Sequence, residues 1–404
     1  VPYLALQYKA VGTSIDVLTA SEGLEPIWYA DTALWVALMM AVFAILFGTR
    51  RLDATEHHEG VMLAIAFESV VKLLAFIAVG VFAWLQVDAA GVEQTRLASL
   101  DDGSLGNYAV LTVLSAFAIF CLPRQFHLGI VECASPADLR KARLVFTAYL
   151  AIISLLVVPI VVAGVATGLG DSRNPDSFVL TLPLAQGHEG LALLVFLGGL
   201  SAATGMVIVA SIALATMITN DLVMPALWRM RWLGISQSQD LGRLVLWLRR
   251  AAILMLAILA YGYHRGTTAP AGLAAIGLLA FALVAQFAPG IFAALYWRGA
   301  TRAGVFYGLL AGFAVWAYTL LLPNFAQGPI ARILMEQGPW GISWLRPQAM
   351  FGIEVLSPFS TGALLALSSN VVILLVLSWL WGASLKERMA AIGFMREALP
   401  GPPA

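Results

Sequence analysis

GGLSAATGMVIVASIALATMITND, residues 198–221, is apolar enough to cross a bilayer, yet it carries Ser201, Thr204, Ser211 and Thr219. Gly205 and Ala215 stand among them, so small and hydroxyl-bearing residues recur at about the helical repeat and share a stripe. Two readings of the stripe stay open. Small residues let membrane helices approach closely, with hydroxyls as modest interhelical glue. Alternatively, the oxygens hold a cation or a solute near the membrane midplane.

The rest of the chain shows that this stretch is no isolated apolar run. Of 404 residues, 60% are hydrophobic and 11% charged, and the mean hydropathy is +0.87. A soluble surface of this size needs more charge than that, so the chain reads as an all-α polytopic membrane protein. Lys plus Arg and Asp plus Glu number 23 each, a balance that gives no support for nucleic acid as a partner. Cys121 and Cys133 are too few for a disulfide framework and are not spaced as metal ligands. No charged n-region or cleavage site opens the chain, and VPYLALQYKAVGTSIDVL reads as a membrane helix already under way.

At about 20 residues per crossing, ten stretches qualify: 1–20, 30–48, 60–86, 107–124, 143–169, 189–222, 245–264, 271–297, 302–323 and 359–384. The segment 189–222 exceeds one bilayer thickness, so it tilts or projects. Arg50 and Arg51; Arg140, Lys141 and Arg143; Arg229, Arg231, Arg243, Arg249 and Arg250; Arg298 and Arg302; and Lys386, Arg388 and Arg396 mark one set of connections. The intervening set holds Glu22, Glu25 and Asp31; Asp88, Glu93, Asp101 and Asp102; and Asp171 and Asp176. The positive-inside rule puts the basic set, and with it both ends of the chain, in the cytoplasm. The longest outer connection, 324–358, mixes apolar and polar residues with two Trp, the pattern of a short interfacial helix or of an ordered lid.

Glu68 and Lys72 stand out in GVMLAIAFESVVKLLAFIAVG. At 1.5 Å per residue they lie roughly 12 and 18 Å beyond Gly60, inside the hydrocarbon. Their i,i+4 order favours an ion pair facing the protein interior. Ionisable groups at that depth are costly and line cavities or relays, although a neutralised structural pair meets the same pattern. Tyr3, Gln7, Lys9 and Asp16 put polar groups on the first span, with Asp16 near its solvated end. Pro123 breaks the end of 107–124 and leaves Arg124 and His127 as interfacial residues, or His127 as a gate.

No HExxH, Walker A, GxSxG or Rossmann glycine motif is present, so the chain reads as no enzyme and needs no cofactor. Glu56, His57, His58 and Glu59 cluster in sequence, but on a loop they point apart, and no metal site follows.

The stretches VPYLALQYKAVGTSIDVL, FGTRRLDATEHHEG, LPRQFHLGIVECASPADLRKAR, SAATGMVIVASIALATMITNDL and FAPGIFAALYWRGATRAGVFYG resemble, in order and spacing, the sodium:solute symporter family. PYLALQYKA, FESVVKLLAF and PRQFH most resemble the symporter-like transmembrane module of CbrA-type sensor histidine kinases. The resemblance implies a LeuT-like inverted-repeat fold lacking the first three of thirteen spans. Residues 1–86 are then core helices three to five, 107–297 core helices six to ten, and 302–384 two peripheral helices. Residues 385–404 form a cytoplasmic tail or linker, where a kinase module or response regulator would connect.

The resemblance also implies a central cavity lined by the first span, 107–124 and 198–212. Tyr3, Gln7, Ser115, Phe120 and Ser201 are accordingly the substrate-binding candidates. In sodium-coupled relatives the helix matching 198–221 offers a hydroxyl pair and a carbonyl to sodium. Here Gly205 and Met206 take the hydroxyl positions and Ala202 the carbonyl position, while Thr204 and Ser201 reach the site only if the helix rotates. A thioether is too soft for a hard cation. The implied partners are the lipid bilayer, a small polar solute such as histidine, and protons carried by Glu68 beside Lys72. The competing expectation is a sensory input domain that binds solute without transporting it, with a purely structural subunit third.

Overall fold

In a bilayer the backbone finds hydrogen-bond partners only within itself, so apolar runs of this length fold as helices. A computed structural model describes residues 1–19, 31–48, 59–90, 104–131, 133, 135–169, 175–229, 241–267, 272–325, 328–352 and 356–398, and every regular element among them is helical. In chain order these are α1 (Pro2–Leu18), α2 (Thr32–Gly48), α3 (Glu59–Ala90), α4 (Leu105–Cys121), α5 (Pro123–Phe126) and α6 (Pro136–Ala166). There follow α7 (Phe178–Ala185), α8 (Glu189–Met217), α9 (Met224–Arg229), α10 (Leu241–Gly266), α11 (Leu273–Val284) and α12 (Ala288–Tyr296). The last are α13 (Arg302–Trp316), α14 (Leu322–Phe325), α15 (Gly328–Gln337), α16 (Pro358–Trp381) and α17 (Leu385–Ala398).

All ten stretches that the sequence marks as spans are helical over most of their described residues, but they are not equivalent. Seven described helices are long and apolar enough to cross a membrane, and α4 with the turn after Pro123 makes an eighth, bent by 53°. α1 and α2 have 17 residues each, about 25 Å of helix. The span expected at 189–222 runs from Glu189 to Arg229, 41 residues, through a π-helical turn at Ile218–Val223. The outer connection 324–358 does contain a helix, α15. The basic and acidic loop markers Arg50, Arg51, Arg231, Glu22, Glu25, Glu93, Asp101, Asp102 and Asp171 lie outside the described residues. Arg243, Arg249 and Arg250 sit on α10 rather than in a loop, because that helix starts at Leu241.

The chain divides into two units, one of Val1–Asp101 with Phe126–Arg265, the other of Asp102–Gln125 with Gly266–Ala404. In the first, α8 runs through three apolar clusters. Ala192 and Val195 pack with Val79 and Ala83 of α3 and with Phe178 and Leu182 of α7. Ala203, Val207 and Ala210 pack with Leu4 and Tyr8 of α1, Val36 and Met40 of α2, and Leu256 and Ala260 of α10. Ala215 packs with Ala41 and Ala44 of α2 and with Ala252 and Ile253 of α10. The short α7, in a connection between spans, is itself core: Phe178 fills the space over Gly164 of α6.

Asp31, read from sequence as a loop acid, is a buried helix cap. Its carboxylate accepts from Ala33 N at 3.0 Å and Tyr261 OH at 2.8 Å, with Arg265 at 3.5 Å. Asp16 is not simply solvated, since it accepts from Thr32 at 2.9 Å.

In the second unit, Gly304, Gly308 and Gly312 recur every fourth residue on α13 and let α16 approach closely. A Cβ on Gly308 would come within 2.8 Å of Asn370 O and Oδ1. The apolar run 271–297 is interrupted by a 3-10 turn at Ala285–Phe287. Asn370 Nδ2 donates to Gln286 O at 2.7 Å and to Gln286 Oε1 at 3.2 Å, satisfying the backbone where the helix breaks.

One carboxylate caps two helices of this unit. Glu387 Oε1 accepts from Arg302 N at the start of α13, and Oε2 from Ser384 N before α17, each at 2.8 Å. Ser384 Oγ accepts in turn from Glu387 N at 3.3 Å, which completes a capping box. The Arg302 backbone bond, followed by those from Ser384, holds the Glu387 carboxyl below its ordinary range. A depressed folded-state pKa stabilises above the unfolded pKa and is lost as pH falls through the folded one. Glu387→Gln, or acidification below the ordinary carboxylate range, should therefore speed amide exchange at Arg302 and Ser384 while α16 stays protected. Hydrogen–deuterium exchange checks this, and unchanged exchange at both amides would refute the double cap.

Candidate solute and coupling site

The stripe on 198–221 has found partners. Gly198 receives α3, since a Cβ there would meet Ala75 Cβ at 2.9 Å. Gly205, seven residues on, receives Glu68, seven residues back along α3. A Cβ at 205 would overlap Glu68 Oε2 and lie 2.6 Å from Cδ. The two contacts make an antiparallel seam whose steps on each helix are about 10 Å apart. Glu68 is partly buried, with its carboxylate laid against the α8 backbone where any other residue would place a side chain.

Lys72, one turn further along α3, holds its Nζ 5.8 Å from the ring centroid of Tyr149 on α6, within the range of cation–π attraction. Glu68 and Lys72 thus each meet a neighbouring helix, the acid on α8 and the base on α6. Tyr149 Oη is buried and has no hydrogen-bond partner among the described residues.

On the other side of α8, Tyr3 OH donates to Met206 Sδ at 3.3 Å. The thioether thus accepts a weak hydrogen bond. Gln7 follows Tyr3 by one turn on α1 and is buried. Ala202 is buried, while Ser201 and Thr204 are half-buried. Thr204 Oγ1 donates to Leu200 O at 2.7 Å, so its proton is spent on its own helix. Tyr3, Glu68, Gly205 and Met206 are therefore brought together around one turn of α8, between α1 and α3. Ser115 and Phe120 belong to α4 of the second unit, where both are exposed.

No group of three or more His, Cys, Asp or Glu that could hold a metal occurs among the described residues. Glu56, His57 and His58 lie outside those residues. Sequence reading missed the buried Asp31, the core position of α7 and the Gln286–Asn370 pair. The capping position of Asp31 before the apolar run was the one local signal for any of them. No known family's sequence model matches the chain, and no curated protein matches it significantly.

The Glu68–Gly205 contact is testable by a double-mutant cycle. Gly to Ala inside a helix ordinarily stabilises by about 1 kcal/mol. Gly205→Ala should instead destabilise by roughly 1–3 kcal/mol, the range of overpacking. In a Glu68→Ala background the penalty should vanish, giving strong coupling between the two positions. Unfolding of the purified protein in mixed micelles measures it, and additive effects would show that the carboxylate does not rest on Gly205.

Proposed function

We propose that this chain is the membrane module of a sodium:solute-symporter-like protein with the LeuT-like inverted-repeat fold. It moves a small polar solute, an amino acid such as histidine, across a bacterial inner membrane, with both ends of the chain in the cytoplasm. The observation that carries the reading is the carboxylate of Glu68 in the space over Gly205. In the family pattern that space belongs to a hydroxyl-bearing side chain that helps to hold sodium. Gly205 removes that hydroxyl, and Met206 replaces the second with a sulfur already receiving the Tyr3 proton. What stands there instead is an oxygen acid that can take up and release a proton.

Glu68 is the carrier, and Lys72 lies one turn along the same helix. Proton uptake from one side and release to the other then couples the solute to the proton gradient, independently of sodium. Tyr3, Gln7 and Ser201 line the solute path within the first unit. Ala202 and Thr204 keep the inherited geometry around the coupling turn.

A second reading draws on the clamp at Glu387. It fastens α17, where a signalling segment would attach, to the start of α13. A fixed connection of that kind suits a sensory input module that binds solute and passes strain to a cytoplasmic kinase.

Uptake by the protein in proteoliposomes separates these readings. Replacing sodium with choline should leave uptake unchanged, whereas collapsing the proton gradient should abolish accumulation. Glu68→Gln should abolish proton-driven accumulation and preserve solute exchange, since binding survives while the carried proton does not. A strict sodium requirement overturns the coupling proposal. Solute binding without transport under either condition favours the sensor.

A further inference from the structure

Arg249 is the one arginine of α10 that the packing swallows. It lies seven residues beyond Gly242, about 10 Å into the helix, and is only 8% exposed. Its neighbours on the same face, Ala252 and Ile253, pack against α2 and α8. Among the described residues it has no hydrogen bond or ion pair, and its Nε is buried without a partner. Arg250 behaves differently, lying 5.7 Å from the Trp247 ring, as an interfacial arginine does.

The register of α8 against α10 shows what stands opposite. Ala203 and Val207 share a cluster with Leu256 and Ala260, and Ala215 shares one with Ala252 and Ile253. The numbers rise on one helix as they fall on the other, so the pair is antiparallel. One turn past Ala215 is Thr219, and one turn before Ile253 is Arg249. Thr219 is fully buried, and its hydroxyl has no partner among the described residues. Thr204 donates to Leu200 O and Thr319 to Val315 O, each four residues back. Thr219 is denied that bond and lies in the π-helical turn at Ile218–Val223. Such turns are frequent at functional sites. Asp221, two residues on, is exposed and points to the opposite face.

A guanidinium cannot shed its proton to escape the cost of burial. Left unpaired in an apolar packing it is strongly unfavourable, and an anion is the compensation that chemistry supplies. Its planar fork matches the two oxygens of a carboxylate or phosphate, and a nearby hydroxyl adds a third donor. We infer that Arg249 and Thr219 form an oxyanion-binding site, taking a carboxylate or phosphate group that enters from the end of the first unit where α10 begins. The inference stands apart from the Glu68 reading, because it uses the π-helical turn beyond α8 and another ligand.

The test is thermal unfolding of the whole protein in neutral detergent. Inorganic phosphate and acetate are each titrated against chloride at matched ionic strength. A parallel arm adds phosphatidylglycerol in place of free anion. Occupation of the native state alone raises Tm with concentration and saturates. Phosphate or acetate should do this for the wild type. Arg249→Met should abolish the shift while leaving the anion-free Tm equal or higher, since a buried unpaired charge has gone. Arg249→Lys, which keeps the charge without the fork, should weaken binding roughly tenfold. Thr219→Val should weaken it less. A rise given only by phosphatidylglycerol and lost in Arg249→Met also supports the site and assigns the oxyanion to a lipid headgroup. If no anion shifts the wild type in an Arg249-dependent way, the inference is wrong. It is equally wrong if Arg249→Met lowers the Tm in the absence of anions, because the arginine is then satisfied within the chain. Should Arg249→Met fail to fold, the Arg249→Lys titration decides alone.

Discussion

A carboxylate resting on the backbone of a neighbouring helix requires that helix to carry no side chain at the contact. Gly205 meets the requirement for Glu68, and much of the first unit follows from it. The glycine costs about 1 kcal/mol of helix propensity, an expense that close helix contact in lipid repays through packing. With Gly198 admitting Ala75 two turns away, α3 is fixed in direction and register along α8. The opposite flank of α8 is then free for α1 and α2, whose apolar residues meet Ala203, Val207 and Ala210. Tyr3 arrives on Met206 as a consequence of that second packing.

Both units satisfy polar backbone at helix starts and breaks with side chains. Asp31 caps α2 and is itself held by Tyr261 and Arg265, across more than two hundred residues of chain. Asn370 closes the break at Gln286, and Glu387 closes two helix starts at once. Each of these side chains is an amide or carboxylate, the groups with enough acceptors or donors to serve two partners. These polar links specify which helices adjoin, something apolar contact alone leaves loosely determined.

That division explains what could be read from sequence. Apolar run length located every helix of the spans, and the depth of Glu68 and Lys72 singled them out, because both are properties of a single segment. The bend after α4 was legible in Pro123 for the same reason. The helical core at α7 was not, since eight residues between spans carry no periodic signal strong enough to distinguish core from connection. Arg249 was read as a marker of membrane side, the ordinary meaning of arginine near a helix start. Only the arrival of Ala41, Ala44 and Ala215 beside α10 makes it a buried charge. Likewise the small stripe on 198–221 could mean packing or binding until the neighbour at Gly205 was known. At Gly205 it means packing, and the residue that packs there is ionisable.

The two charges that α8 meets differ in how they can be relieved. A carboxyl group such as that of Glu68 can exist with or without its proton. Arg249 has no such escape and stays cationic at any depth. The same helix therefore confronts a group whose charge is adjustable and a group whose charge is permanent. Their spacing, from Gly205 on α8 to Thr219 in the π-helical turn that follows it, is fourteen residues or roughly 20 Å. Over that distance, occupation at one end can bias the seam at the other only by moving α8 itself. Any linkage between the two must therefore run through the packing of α8 against α2 and α10, not through direct electrostatics.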